Sequence, residues 1–270
     1  MPNADRAEML NKVPYVTVYF WIIKILATTV GETGADFLNI RMGLGLNGTS
    51  IVMGLLLAIT LVIQMRSGRY VPWKYWLVVV FLSIVGTLIT DTLSDEFGVS
   101  LYISTAVFAV ALAVTFVLWH RSEHTLSIHE IDSPRREGFY WAAILFTFAL
   151  GTAGGDLVSE KFGFGYVTAT LIFGGGIALI TAGYYAKAIG AVLAFWLAYI
   201  LTRPLGASIG DLLTQAKSDG GLGFGTIPVS AAFLIIIVGL VIYVTISKID
   251  APKDQNRSAE GRATEVPTAT

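Results

Sequence analysis

The sequence predicts an all-α polytopic membrane protein of eight transmembrane helices, arranged as four helical hairpins. Three observations carry that reading: long apolar runs without charge, basic residues gathered on one side, and a motif that returns four times.

The 270 residues are 54% apolar and only 14% charged, with no cysteine. Soluble domains average about 25% charged residues. Val99–Trp119, Phe164–Tyr185 and Leu222–Ile246 contain no Asp, Glu, Lys, Arg or His. Each reaches the roughly 20 residues a helix needs to cross a hydrocarbon layer about 30 Å thick. These runs exclude a soluble enzyme, a nucleic-acid binder and a disulfide scaffold. Val13–Asp36, Gly45–Met65, Tyr75–Asp91, Phe139–Asp156 and Ala188–Asp211 span as well, with polar interruptions. Lipid forces each spanning backbone to satisfy its own hydrogen bonds, so the spans are helices. No alternating pattern supports a barrel.

The implied organisation is an N-terminus over 1–12, hairpins over 13–66, 67–120, 139–186 and 187–247, a loop over 121–138, and a tail over 248–270. That tail is polar and expected to be disordered. The beginning of the chain lacks a signal-peptide layout, so the first helix is expected to be an uncleaved anchor. Eight spans put both ends on one side. Thirteen basic residues fall on that side, including Lys12, Arg66, Arg121, Arg135, Arg136 and Lys248, against Arg41, Lys161 and Lys217 opposite. The bias predicts cytoplasmic termini.

Self-similarity governs the fold. Phe20-Trp21, Tyr75-Trp76, Tyr140-Trp141 and Phe195-Trp196 fall in register. Ten residues after each Trp stands Gly31, Gly86, Gly151 or Gly206; four further stands Ala35, Thr90, Gly155 or Gly210; then comes Asp36, Asp91, Asp156 or Asp211. All four hairpins therefore start from the same side, which predicts a pseudo-symmetry axis along the membrane normal and not in its plane. On these motifs the chain resembles a bacterial family of membrane-anchored proteins built from four tandem two-helix repeats with a characteristic tryptophan. That family is defined by its repeat, and its function is largely unassigned. The resemblance implies the fold and a bacterial inner membrane, and no activity.

Each repeated position has a packing reading and a functional one. The Trp reads as an interfacial anchor at the cytoplasmic headgroups. The Gly and its small partner read as seams for close helix approach. The Asp lies about 22 Å beyond its Trp, at about 1.5 Å per residue, in the outer third of the layer. A carboxylate there costs about 2.5–3.5 kcal/mol, so it faces a solute pathway, or else the helix ends early and the Asp meets outer water. Glu32 with Asp36, Asp95 with Asp91, Glu160 with Asp156 and Gln215 with Asp211 share helical faces one turn apart. Lys24 is close enough to Trp21 to snorkel to the interface. Arg203, beside Pro204, is expected to pair with an Asp, and Pro204 to kink its span.

A cleft of one sign concentrates ions of the other, so the expected passenger is a small cation. With oxygen the main ligand in the spans, the candidates are divalent manganese, magnesium or calcium, or protons in exchange. The expected pathway is Asp36, Asp91, Asp156, Asp211, Glu32, Asp95, Glu160 and Arg203, with the four Asp as metal ligands. His120 and His124 offer a weaker metal reading, against that of a solvated charged loop. No phosphate loop, nucleophile–base constellation or cofactor motif is present, so neither a P-loop pump nor an enzyme is expected. The expected partners are the lipid bilayer and the cation, with homo-oligomerisation open. The alternative is a non-transporting scaffold or partner subunit whose Asp side chains tie helices together.

Overall fold

The computed structural model describes residues 10–252, and the rest of the expected tail lies outside the described residues. Among the described residues there is no strand. Eight long helices follow in order: α1 (Val18–Asp36), α2 (Gly45–Met65), α3 (Pro72–Asp91), α4 (Leu101–Glu123), α5 (Pro134–Asp156), α6 (Gly165–Tyr185), α7 (Ala191–Thr214) and α8 (Thr226–Ser247). All but α1 are long and apolar enough to cross a membrane. Lys24 and Glu32 lower the hydropathy of α1, which packs among α3, α7 and α8 and leaves Val18 and Ile22 exposed.

Helix starts differ from the ends of the apolar runs for local reasons. Residues 13–17 are not helical; Thr17 caps α1 by accepting from the Phe20 amide. Pro72 and Pro134 open α3 and α5 in the first turn, where a missing N–H costs nothing, and Ser133 caps α5 by accepting from the Arg136 amide.

The odd helices form a closed inner ring: α1 packs on α3 and α7, and α5 packs on the same two. The even helices stand outside it. Each packs chiefly on the odd helix of the next repeat, α2 on α3, α4 on α5 and α6 on α7, while α8 returns to α1. A hairpin is thus a covalent unit whose second helix covers its neighbour. Burial follows the two rings. Half or more of the apolar window in α3, α5 and α7 is buried, against 11% to 22% in the even helices.

The small-residue seams make the ring. A side chain at Gly31 would strike Ser83, one at Gly86 would strike Phe148, one at Gly151 would strike Arg203, and one at Gly206 would strike Thr28. Thr28, Ser83, Phe148 and Arg203 all lie seven residues after their Trp. The same offset therefore meets the same offset at each of four interfaces. Thr90 adds a hydrogen bond to the Ala149 carbonyl (3.1 Å) and Thr28 one to the Thr202 carbonyl (3.2 Å). Close backbone approach and such bonds replace the hydrophobic drive that lipid removes.

At one end of the ring the repeated aromatic residues fill the core. Phe20 packs on Trp76 and Phe195, Tyr75 on Trp141, and Tyr140 on Trp196. The Tyr75 and Tyr140 hydroxyls hydrogen-bond at 2.6 Å. Trp76, Trp141 and Trp196 are buried, so for these three the anchor reading is corrected: they face the neighbouring helix of the ring and not headgroups, while Trp21 stays partly exposed.

Candidate functional site

Going away from the aromatic end, each odd helix contributes residues 3, 7, 11 and 15 positions after its Trp to successive layers near the ring axis. In the first of these layers lies Lys24, fully buried, its Nζ 4.2 Å from the ring centres of both Phe148 and Tyr199. Nζ has no hydrogen-bond partner among the described residues. The snorkelling expected of Lys24 is therefore corrected. The ammonium points inward, held by two aromatic faces, a contact worth about 2 kcal/mol when desolvated.

Arg203 is the hub of the next two layers. From α7 it reaches all three other odd helices. Nη1 donates to the Thr28 carbonyl (2.9 Å), and Nη2 to Glu32 Oε2 (2.8 Å), Thr152 Oγ1 (2.8 Å) and Thr87 Oγ1. Glu32, Thr87 and Thr152 all stand eleven residues after their Trp. The expected Arg203–Asp pair is thus an Arg203–Glu32 pair, with the guanidinium wholly buried. Geometry explains the choice: Glu32 is one layer away, and the Asp are two. Pro204 sits inside α7 against Gly151 and Gly155, where its ring occupies the space that those glycines leave.

Beyond Arg203 come the four Asp. Asp211 is buried, and Asp36, Asp91 and Asp156 are partly exposed. Their fields overlap: Asp156 interacts with Asp91 and Asp211, Asp211 with Asp36, and Asp91 with Asp36. Glu32 acts on all four. The ring thus brings the quartet into one acidic layer. Asp95 and Glu160 are exposed at its rim, and Asp95 accepts from Ser94 at 2.9 Å. Among the described residues no three His, Asp or Glu stand close enough to hold a metal ion, so the quartet is a set of separate carboxylates and not a preformed coordination cage.

Asp36, Asp91 and Asp156 do not end their helices early. Each is followed by a π-helical turn, Phe37–Arg41, Thr92–Glu96 and Leu157–Lys161. Such wide turns are rare and frequently mark functional sites. The fourth repeat differs: α7 runs on to Thr214 and ends in extended backbone at Gln215. There Asp36, Gln215, Lys217 and Thr226 line an open cavity of about 540 Å³.

The loop with His120 and His124 is organised by ion pairs. Arg136 holds Glu123 (3.0 Å) and Asp132 (3.1 Å), which leaves those carboxylates engaged. The sequence reading missed a second buried pair, at the aromatic end. Lys12 Nζ donates to Glu137 Oε2 at 2.7 Å, and Glu137 Oε1 accepts from Gln64 and Trp141 at 3.4 Å each. Leu10 N bonds to the Gly68 carbonyl, Lys12 N to that of Ile131 and Tyr15 N to that of Asp250, so the segment before α1 straps this end of the ring. Lys12 counted only as a cytoplasmic charge, and nothing in its spacing marks a partner 125 residues away.

Among the described residues, eight long helices, seven of them long and apolar enough to cross a membrane, stand in four interlocked repeats, the marks of a repeat-built, multi-pass membrane protein. A family model described as a repeat of unknown function, DUF347, matches at residues 19–70, 74–125, 139–189 and 194–250, and the chain belongs to that family. Neither the curated proteins nor the solved structures include a match.

Proposed function

We propose that the chain is a secondary transporter of a small cation in a bacterial inner membrane, with cytoplasmic termini and the acidic layer at the outer mouth. The observation that supports this reading is the placement of Asp36, Asp91, Asp156 and Asp211, one from each repeat, in a single layer of carboxyl groups beyond a buried Arg203–Glu32 pair. A like-charged ring in a low-dielectric wall concentrates cations. Because the carboxylates stay apart, the ring suits a cation that keeps part of its water, as magnesium does, or a proton shared among sites. Arg203 closes the path below and has to release Glu32 before a cation can pass.

The scaffold reading has its own support, since Arg203 also ties α7 to α1, α3 and α5. Purified chain in proteoliposomes, tested with magnesium, calcium and manganese dyes and an internal pH dye, separates the two. Transport predicts flux of at least one of these ions above protein-free vesicles. No flux of any, with folded protein recovered from the vesicles, favours the scaffold.

A further inference from the structure

Near the ends of the outer helices the fourfold pattern of burial breaks at one place, and we infer that a phospholipid occupies the gap. The position concerned lies 43 residues after the repeat Trp, near the end of each outer helix: Gln64, Trp119 and Tyr184. In the fourth repeat the register is set by paired glycines of positive φ. Gly43 and Gly45 correspond to Gly163 and Gly165 and to Gly223 and Gly225. Gly223 follows its Trp by 27 residues where Gly43 and Gly163 follow theirs by 22, so the equivalent outer-helix residue is Val244.

Gln64, Trp119 and Val244 are each 0% exposed, whereas Tyr184 is 44% exposed. Two of the buried three are joined to the Trp two repeats away. Trp119 packs edge-on against Trp196 at 5.8 Å. Gln64 reaches Trp141 through Glu137, which accepts from both. Val244 is buried in the main core cluster, which holds Trp76, Trp141 and Trp196 together. By the same rule Tyr184 belongs with Trp21, and Trp21 is the one repeat Trp left partly exposed. Between them is a groove of about 530 Å³, walled by Trp21, Phe195, Ile177, Ile180, Tyr184 and Ala191.

The groove opens beside α6, the least buried of the candidate spans, whose outer face carries the exposed Leu171, Ile172 and Leu179. In a bilayer that face would meet hydrocarbon. The wall is aliphatic and aromatic, while Tyr15, Thr17, Ser127 and His129 line it from the segments before α1 and after α4; the Thr17 and Ser127 hydroxyls accept from the Phe20 and His129 amides and keep their own O–H to donate. An acyl chain along the wall with a headgroup at the hydroxyls matches this division. The terminal segments of the chain, 1–9 and 253–270, are polar in composition and do not match it.

The test is photolabelling in vesicles of phosphatidylethanolamine that carry a diazirine midway along one acyl chain, followed by peptide mapping. The proposal predicts labelling concentrated on residues 177–198 and 15–21, lost in the double variant Tyr184→Trp, Ala191→Trp, which fills the gap as Trp119 does in the second repeat. Native mass spectrometry should then find one phospholipid fewer on the variant. Labels spread evenly over α2, α4, α6 and α8, or chain-to-chain adducts through α6, would overturn it. So would protection of the groove that vanishes when the chain is cut after Pro252. If the variant fails to fold, the wild-type labelling map decides alone.

Discussion

Arg203 on α7 and Glu32 on α1 pair at 2.8 Å within the ring, and Thr87 and Thr152 complete the set from the two remaining odd helices. One guanidinium on α7 therefore ties together all four repeats.

Removing one partner of such a pair strands the other. Arg203→Leu leaves Glu32 buried and uncompensated and should cost about 3–5 kcal/mol, whereas Arg203→Leu with Glu32→Leu should recover most of the loss. Thermal unfolding in detergent checks this. A double variant no more stable than the single one contradicts it.

The seams predict a sharp contrast among glycines. Gly86→Ala places a methyl 2.6 Å from Phe148 Cβ and 3.2 Å from the Ala149 backbone nitrogen, so α3 and α5 have to part; a loss of about 1–3 kcal/mol is expected. Gly175→Ala, with nothing within 4 Å, should cost nothing. Unfolding midpoints of the two variants provide the comparison.

Lys24 contributes no hydrogen bond and occupies a dry aromatic site, so Lys24→Met should hold or raise stability. Under the proposed cation path the same variant should change flux, because Lys24 stands one layer from Arg203. Folding and flux are measured on one preparation.

Asp250 lies beyond α8, buried and accepting from the Tyr70 hydroxyl at 2.6 Å. Burial pushes its carboxyl above the usual range. A raised folded-state value contributes stability that is present below the unfolded value, near 4, and is lost as pH rises through the folded one. Asp250→Asn should therefore gain on the wild type as pH rises from about 4 upward. Melting curves across that range check it; a difference that is flat with pH contradicts it.

The repeat made most of the fold legible. Trp, Gly, small residue and Asp at fixed offsets gave four hairpins and the seams, because close helix contact demands small residues at a fixed helical spacing. The position of Asp36, Asp91, Asp156 and Asp211 at one end of the odd helices followed from the same spacing. The structure shows no preformed metal cage in that layer. Side-chain direction was not legible. Trp76 and Lys24 read as interfacial because each is amphipathic, and only the closed ring shows that the surface they would face is another helix. Lys12–Glu137 and Arg203–Glu32 join distant parts of the chain, and no local pattern records such partners. The swap of outer helices onto the next repeat was hidden for the same reason, since a short loop fixes connection and not packing.

The most direct test is cation flux into proteoliposomes by Asp91→Asn and Asp156→Asn, with the amount of folded protein measured in the same vesicles. The account predicts that each variant folds and inserts like the wild type and loses at least nine-tenths of its flux. Wild-type flux in both variants would contradict it.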